Sequence, residues 1–370
     1  MTEKYTALYE EHKKLGASFT DFGGWQMPLK YSSELAEHHA VRKAAGLFDL
    51  SHMGEVWVTG PAAGAFLDYA LVGKLSAIAN GKAKYSLICN PDGGIIDDLI
   101  VYRFGDEKYL VVPNAGNAPT VAAALAERAA DFDVKVEDAS AATSLVAVQG
   151  PKAEAILLKL TDEAQHALVI DLKYYAFNEL TIAGHDVILA RTGYTGEDGF
   201  ELFIPNEDAA DLWAKVAEAG EEFGIIPCGL ASRDSLRLEA GMPLYGNELS
   251  LERSPFDAGL GPVVALKSKE GDFVGRSALE AAKEAGSKRK LVGLKGLGRR
   301  AGRGGYPVLK DGNVVGEVTS GQPSPTLGYP VALAYVDVEH AELGTALDID
   351  LRGRAEPFEV IALPFYKRQK

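Results

Sequence analysis

The chain has 370 residues, 47% hydrophobic and 24% charged, which is enough for two or three domains with sizeable cores. Its formal net charge of −14 argues against nucleic-acid binding, which needs a positive surface. Charged residues from Glu3 onward do not fit a secretory signal, and no apolar run approaches the roughly 18 residues of a membrane span, so a cytoplasmic location is expected.

The first fifty residues predict short elements separated by glycine turns. Residues 2–15 are expected to form a helix, and Phe22–Pro28 to form a glycine-rich turn. The pattern of Glu34–Ala45 predicts a helix that ends at Gly46, and the alternation in Ser51–Val58 predicts a strand.

A Gly-Pro motif occurs twice. Val58–Leu67 resembles Val148–Leu157, and each segment predicts a strand end, a Gly-Pro turn and an alanine-rich helix. The repeat suggests two related α+β units, although one short match is weak support for an internal duplication.

The sequence between the two Gly-Pro motifs predicts several strands. Ala83–Cys89 and Gly94–Phe104 are joined by Asn90–Gly93, a strong turn signal, and they are followed by Tyr109–Pro113. The alanine-rich run Ala118–Ala130 predicts a helix. These elements complete the first α+β unit.

The composition changes after about Pro262. Residues 263–286 predict a short charged helix, and the chain from residue 290 onward predicts a small β-barrel or sandwich. Residues 287–305 hold seven basic side chains and no acidic one, which fits either a solvated hairpin or an anion site for a polycarboxylate ligand tail or an acidic protein. We expect three domains, over residues 1–140, 141–285 and 286–370.

Two segments near the middle carry most of the chemistry. Arg191–Glu201 places three glycines and several carboxylates around Tyr194, and glycines allow close approach to a ligand. Cys228–Gly241 predicts a helix with Arg233 and Arg237 on one face. An arginine near a glutamate on a glycine turn forms a rigid polar clamp for a flat ligand with adjacent donors and acceptors.

Two further polar positions lie within or at the end of apolar strands. Asp97 and Asp98 are adjacent in a strand, so one of them must face inward or the strand must be bulged. Such an acid either bonds a backbone turn or exchanges a proton with a bound amine. Asn114 either forms a turn or reads the donor and acceptor edge of a heterocycle.

The sequence lacks the motifs of several other kinds of functional site. His52 has no Ser-His-Asp order or Gly-x-Ser-x-Gly motif beside it, so a hydrolase is not supported. The adjacent His38 and His39 diverge by about 100° on a helix, so no metal site is expected. Nucleotide-binding glycine motifs are also missing. Cys89 and Cys228 form no Cys-x-x-Cys motif and are expected to be free buried thiols.

The motifs taken together resemble those of the folate-binding T-protein family of the glycine cleavage system, along nearly the whole chain. The matching segments are Phe22–Trp25, Gly46–Gly54, Gly93–Leu99, Arg191–Glu201, Cys228–Glu239 and Thr319–Pro325. Ordered matches of this length in one chain are very specific.

The resemblance implies an α+β fold with three domains in a cloverleaf. Two ferredoxin-like or related α+β folate-binding units would surround a central cavity, followed by a C-terminal β-barrel. The implied activity is that of an aminomethyltransferase. It takes the aminomethyl group on the dihydrolipoyl arm of lipoylated H-protein, releases ammonia and forms 5,10-methylenetetrahydrofolate, with tetrahydrofolate as the acceptor substrate and no metal.

The resemblance also implies residue roles. The essential acid of the family matches Asp98, and Gln322 stands where many members have cysteine. The implied folate-binding positions are Tyr85, Val112, Asn114, Tyr194, Glu201, Arg233, Arg300 and Tyr366, and the loop around Arg300 differs in length from that of the family. Glu201 would bind pterin N–H groups, and Arg233 would bind a glutamyl carboxylate or the pterin oxygen.

Two relatives with the same fold remain as alternatives. One is a folate-dependent demethylase of a small methylated amine or sulfonium donor, and the other is a folate-binding module without enzyme activity. The second alternative carries a characteristic cysteine motif that this sequence lacks. Retention of Asp98, the glycine turn and the C-terminal tyrosine favours the aminomethyltransferase.

Overall fold

A computed structural model describes residues 3–369. Within it the chain forms two compact units, each assembled from several segments. The first unit comprises the described residues up to Leu67, Leu75–Tyr85 and Leu99–Asp234. The second comprises Asp68–Lys74, Ser86–Asp98 and the described chain from Ser235 onward. The three predicted domain boundaries stay a prediction.

The helices and strands alternate along the chain, as an α+β fold requires. The α-helices of the described chain are α1 (Tyr9–Lys14), α2 (Glu34–Lys43), α3 (Ala63–Ala70), α4 (Ala118–Arg128), α5 (Ala153–Lys159), α6 (His166–Ile170), α7 (Asn206–Gly220), α8 (Leu230–Glu239) and α9 (Arg276–Ala285). The strands before α8 are β1 (Ser18–Phe22), β2 (Trp25–Lys30), β3 (Ala45–Asp49), β4 (Val56–Thr59), β5 (Lys82–Cys89), β6 (Ile95–Gly105), β7 (Lys108–Pro113), β8 (Lys135–Asp138), β9 (Thr143–Gln149), β10 (Phe177–Ile182), β11 (His185–Ala190), β12 (Gly199–Pro205) and β13 (Ile225–Pro227).

A six-stranded sheet in the order β10-β11-β12-β9-β3-β13 forms the largest core of the first unit. Its neighbours pair antiparallel except β13, which is parallel to β3. Helix α7 covers it with an amphipathic face, because Ala209, Leu212, Trp213 and Val216 recur at helical spacing and are all buried. This sheet carries Glu201 on β12.

A five-stranded sheet in the order β5-β6-β7-β4-β8 contains the predicted strands that follow the first Gly-Pro motif. The turn between β5 and β6 forms as predicted, since the Asn90 side chain accepts from the Gly94 amide at 2.8 Å and the Asn90 carbonyl accepts from the Gly93 amide at 3.0 Å.

The two Gly-Pro motifs have the same conformation. Gly60 and Gly150 both have a φ of +132°, and each follows a sheet strand and precedes a helix. A Cβ atom at Gly60 would lie 2.6 Å from the Asp133 carbonyl, and one at Gly150 would lie 2.6 Å from the Ala44 carbonyl. Close backbone approach therefore requires glycine at both sites.

The C-terminal strands close into a barrel, which confirms the predicted fold class of α+β elements with a C-terminal β-barrel. They are β14 (Arg289–Gly296), β15 (Pro307–Lys310), β16 (Asn313–Pro323), β17 (Pro330–Asp337), β18 (Ala346–Asp350) and β19 (Ala355–Ile361). The strand order is β14-β17-β16-β15-β18-β19, and β14 also pairs with β19. Closure leaves the sheet without an unpaired edge.

Some element boundaries differ from the predictions. The first helix, predicted over residues 2–15, is shorter and spans Tyr9–Lys14. Residue 2 lies outside the described residues. Gly46 does not end α2 but lies inside β3, where a Cβ atom would come within 2.5 Å of Val41 Cγ2 and 2.7 Å of Cys228 Sγ. The strand predicted from residue 51 begins only at Val56.

The charged helix predicted within residues 263–286 is shorter, at Arg276–Ala285. Cys89 and Cys228 are buried thiols outside any disulfide bond, as predicted. Within residues 3–369, no helix has the length and apolar character needed to cross a membrane.

Candidate active site

Tyr194, Glu201 and Arg233 come together in the first unit, as the proposed clamp requires. The central guanidinium carbon of Arg233 lies 4.7 Å from the centroid of the Tyr194 ring. Burial lowers the pKa of Arg233, and the facing Tyr194 and Glu201 oppose that shift, so the guanidinium stays charged at neutral pH. A cation on an aromatic face beside a carboxyl group is a compact polar platform.

The Glu201 carboxyl group lies deep on β12. Burial raises its pKa, while the Thr192 hydroxyl and the charge of Arg233 act in the opposite direction. Thr192 donates to Glu201 Oε2 at 2.5 Å and lies 3.3 Å from the Tyr102 hydroxyl. Thr192 and Tyr102 thus fix the orientation of the carboxyl group.

Gln149 explains two glycines of the Arg191–Glu201 segment. Its amide donates to the Thr192 carbonyl at 3.0 Å and accepts from the Thr195 hydroxyl at 2.9 Å. A Cβ atom at Gly193 would lie 2.1 Å from Gln149 Oε1, and one at Gly199 would lie 2.5 Å from Gln149 Cδ. The buried amide therefore holds the glycine turn that presents Tyr194.

Two arginines, Arg42 and Arg191, form hydrogen bonds with residues of the same turn. Arg42 on α2 donates to the Thr195 carbonyl at 2.6 Å and to Glu197 Oε1 at 3.1 Å, with both charged side chains nearly fully buried. Arg191 forms a two-point bond with Asp198, at 3.0 and 2.5 Å. These pairs make the turn rigid.

The start of α8 is fixed by a buried carboxylate. Glu37 accepts from the Gly229 amide at 2.9 Å and from the Tyr31 amide at 2.7 Å. A Cβ atom at Gly229 would lie 2.3 Å from the Leu29 carbonyl, so only glycine fits there. The arrangement positions Arg233 one turn into the helix.

His52 and the glycine turn after Phe22 also lie in the first unit. His52 is buried, its ring lies edge-on to Phe22 with 5.5 Å between centroids, and burial and the charge of Arg233 lower its pKa to about 4. Gly23 lies close to Gly116, with 3.4 Å from the position of a Cβ atom to Gly116 Cα. His52 is thus a neutral imidazole at pH 7.

Val112 and Asn114 lie where the sequence predicted a strand end. Val112 is 6% exposed on β7 and pairs with Ile100 on β6. Asn114 is half-buried after the strand, and its carbonyl accepts from the Asn117 amide at 3.0 Å in the turn before α4. Both proposals for Asn114, turn former and ligand contact, are compatible with this position.

The second unit holds the adjacent acids. Asp97 is fully buried and Asp98 is half-buried, so the inward residue is Asp97 and Asp98 is the one that reaches solvent. The Tyr245 hydroxyl donates to the Ile95 carbonyl at 2.8 Å. Burial, then the charges of Asp97, Glu252 and Asp98, raises the pKa of Tyr245 to about 12.

Arg237 plays a separate, structural part. It is 1% exposed and donates to Glu248 at 3.0 Å and to the Ser320 hydroxyl at 2.8 Å, and Ser320 donates to Glu248 at 2.5 Å. The expectation that Arg233 and Arg237 share one face does not give them one role. Only Arg233 lies with Tyr194 and Glu201.

Tyr366 is attached to the end of α8. Its backbone amide donates to the Glu239 carbonyl at 2.8 Å, and the Glu239 carboxylate accepts from Ser324 at 2.5 Å and from the Thr326 hydroxyl at 2.7 Å. Glu239 therefore links the backbone of Tyr366 to Ser324 of the Thr319–Pro325 segment and to Thr326.

The last two predicted positions are less enclosed. Tyr85 is half-buried on β5. Arg300 is exposed, and its nearest acidic contact is a long 3.7 Å approach to Glu356. Within residues 3–369, no group of three or more histidine, cysteine, aspartate or glutamate side chains is placed to hold a metal ion.

Sequence reasoning did not single out Thr192, Gln149, Tyr102 or Tyr245. Thr192 lies inside the glycine motif, and Gln149 directly precedes the second Gly-Pro turn, so their positions in the sequence were signals. Tyr102 and Tyr245 had no such signal, because their contacts are made by residues distant in sequence.

Comparison of the sequence with known proteins identifies the family of this chain. Residues 8–268 match the GCVT N-terminal domain, and residues 289–367 match the glycine cleavage T-protein C-terminal barrel domain. The chain belongs to the glycine cleavage T-protein family. The matches confirm the resemblance found in the sequence.

Relatives agree along the full length. An aminomethyltransferase of Streptomyces avermitilis is 58% identical over 371 residues, covering 99% of this chain and 98% of that protein. An aminomethyltransferase of Bacillus subtilis is 48% identical over 366 residues, covering 99% of each. The glycine cleavage system aminomethyltransferase T from Bartonella henselae, a crystal structure, has a TM-score of 0.91 and 38% identity, covering 99% of each chain. The predicted aminomethyltransferase class is confirmed, and the demethylase alternative is not favoured.

Proposed function

We propose that this chain is the aminomethyltransferase of a glycine cleavage system. It takes the aminomethyl group from the dihydrolipoyl arm of H-protein, releases ammonia and forms 5,10-methylenetetrahydrofolate. Family membership over both matched domains is the observation that carries this conclusion.

The platform of Tyr194, Glu201 and Arg233 suits the pterin of tetrahydrofolate. The ring of Tyr194 lies beneath a guanidinium, and the Glu201 carboxyl group is buried within reach of that charge. A pterin offers adjacent donors and acceptors on one flat edge, and this donor set can bind them. Tetrahydrofolate supplies the nitrogen that accepts the one-carbon unit.

The remaining folate contacts are assigned by the family resemblance. Val112 and Asn114 would bind the pterin edge, and Tyr85, Tyr366 and Arg300 would contact the ligand. Val112 can offer only backbone groups and an apolar surface, whereas Asn114 can both donate and accept.

Asp98 is the proposed catalytic acid. It is half-buried beside the fully buried Asp97, so its carboxylate is the one open to a ligand. A carboxylate there orients the reacting amine, stabilises the positive charge that develops as ammonia leaves, and holds a proton. Water must also be excluded, because the transferred unit hydrolyses readily.

Residues 287–305 are the proposed docking segment for H-protein or for a polyglutamate tail. Arg299 and Arg303 are exposed there, and no acidic side chain occurs in the segment. Exposed like charges attract an acidic partner over about 8 to 10 Å at physiological salt.

The deciding experiment measures ammonia and methylenetetrahydrofolate formed from aminomethylated H-protein, with and without tetrahydrofolate. The wild type should require folate. Asp98→Asn should lose at least about a hundredfold in kcat, the usual range for general acid–base groups, while folate affinity stays within a few-fold. Asp97→Asn is the comparison, because that residue is buried and should affect stability more than turnover.

Two results would contradict the proposal in different ways. Near wild-type turnover by Asp98→Asn would remove the assigned role but leave the activity standing. Folate binding without any folate-dependent ammonia release by the wild type would refute the activity itself.

A further inference from the structure

A cavity of about 730 Å³ lies in the first unit, and strands of both its larger sheets contribute to the lining. Its walls include the aromatic rings of Trp57 on β4 and Phe203 on β12. None of the residues assigned to folate or to catalysis lines it. The volume is in the range of sites that hold small organic ligands.

Glu55 is the unusual member of the lining. It is 1% exposed, and neither carboxyl oxygen has a hydrogen-bond partner in the described structure. Its backbone is fixed, because the Glu55 amide donates to Ser140 Oγ at 2.9 Å and the Glu55 carbonyl accepts from the Ala139 amide at 2.9 Å. A fixed backbone with an unsatisfied buried carboxyl group points to a missing partner in the cavity.

The charge of the lining is of one sign. Its ionisable side chains are Glu55, Glu179, Asp186 and Glu207, and the lining contains no lysine, arginine or histidine. Asp138 also faces Glu55, and burial followed by the charge of Asp138 raises the pKa of Glu55 to about 9. The cavity therefore repels anions and attracts cations.

The Trp57 ring also contacts a cation, Lys108, which is not part of the cavity lining. The ammonium group of Lys108 lies 4.8 Å from the centroid of the Trp57 ring. Aromatic faces attract ammonium groups, and apolar neighbours such as Leu180 and Val187 can cover the body of an organic ligand. A bare metal ion does not fit, because the described residues hold no group of three or more metal-ligating side chains.

We propose that this cavity is a second binding site, for an organic ammonium ion with an apolar or aromatic body, and that Glu55 is its anchoring carboxylate. On binding, the Glu55 O–H bond breaks, its proton leaves to solvent, and the carboxylate pairs with the N–H groups of the ligand. No other bond changes. Glu179, Asp186 and Glu207 add attraction at the wall.

The test uses the full chain with 2-phenylethylammonium as the probe and 2-phenylethanol as its neutral counterpart. Calorimetric titration in two buffers of different ionisation enthalpy measures proton release. The amine should bind with release of about one proton at pH 7, and its affinity should rise about tenfold per pH unit between pH 6 and 8, since only the carboxylate form binds it. The alcohol should bind at least about tenfold more weakly, because it cannot pair with a carboxylate.

Glu55→Gln keeps the side-chain shape and removes the titrating group. It should abolish proton release and weaken amine binding at least about tenfold at pH 8, the loss of a charged hydrogen-bond partner. Glu207→Gln is the matched control and should keep the proton release. No amine binding by the wild type, or equal binding and proton release by Glu55→Gln, would overturn the proposal.

Discussion

The guanidinium group of Arg233 lies over the ring of Tyr194, with 4.7 Å between its central carbon and the ring centroid. Arg233 is on α8 and Tyr194 is in a glycine turn 39 positions earlier in the chain. Their contact brings together Arg191–Glu201 and Cys228–Gly241, the two segments that the sequence predicted to form the ligand site. A rigid polar platform results, since each segment is held by its own buried hydrogen bonds.

Arg233→Lys should weaken tetrahydrofolate binding more than it slows turnover. Lysine keeps the charge but cannot stack a planar group on Tyr194 or offer paired donors. We expect KM for tetrahydrofolate to rise about tenfold, near 1.4 kcal/mol, with kcat changed less. Steady-state kinetics and direct folate titration measure this. Arg237→Lys is the control, because Arg237 lies on the same helix but bonds to Glu248 and Ser320; it should lower the melting temperature and leave folate affinity intact. Equal KM values for both variants would contradict the role of Arg233.

Gly193→Ala should destabilise the protein by about 1–3 kcal/mol, the usual cost of overpacking. The new Cβ atom would lie 2.1 Å from Gln149 Oε1, and that amide is held by Thr192 and Thr195. Thermal unfolding measures the loss. Gly105→Ala, with nothing within 4 Å of its Cβ position, is the control. Adding Gln149→Ala should make the double variant less unstable than the sum of the single losses; strict additivity would argue against the clash.

Arg237→Met should destabilise the second unit by about 3–5 kcal/mol, because Glu248 would stay buried with an unpaired charge. Arg237 and Glu248 are 1% and 0% exposed and 3.0 Å apart. Arg289→Met removes an exposed pair with Asp337 and should cost no more than about 1 kcal/mol. Denaturant unfolding of the two variants measures the difference, and similar losses would show that the buried pair is not a special contributor.

Reversing Arg299 and Arg303 to glutamate should raise the apparent KM for H-protein and weaken its dependence on salt. The reason is the loss of long-range attraction to an acidic partner. Kinetics at several ionic strengths measure both quantities. Reversing the exposed Lys173 and Lys283 changes the net charge equally outside the segment and is the control. No change, or the same change in the control, would leave the segment as a solvated loop.

Glu55→Gln should stabilise the protein at pH 7 and above. The folded pKa of Glu55 is raised from 4.5 to about 9, so the unfolded chain releases a proton that the folded chain retains. The free energy of unfolding therefore falls as pH rises through this window, by on the order of 3 kcal/mol at pH 7. Melting temperatures from pH 4 to 9 measure it. The two proteins should converge near pH 4.5, and a constant difference across the range would contradict the shifted pKa.

Much of the fold could be predicted from local patterns. The strands after Gly81, the Asn90–Gly93 turn, the paired Gly-Pro motifs and the C-terminal barrel follow from alternation and turn chemistry. The prediction that Gly46 ends a helix was wrong. A glycine is needed there because a Cβ atom would clash with Val41 and Cys228, and the local sequence does not show these contacts. Packing against distant residues overrode the local preference.

The sequence alone determined which residues are chemically able to act: Tyr194, Glu201 and Arg233 in two motifs, and an acid pair in one strand. Alternation required one acid of the pair to face inward, but only the tertiary structure decided that it is Asp97. Likewise, the sequence placed Arg233 and Arg237 on one helix, and the tertiary structure assigned them different partners, Tyr194 and Glu248. Residue type and spacing fix what a side chain can do, whereas its burial and partners depend on segments far away in the chain.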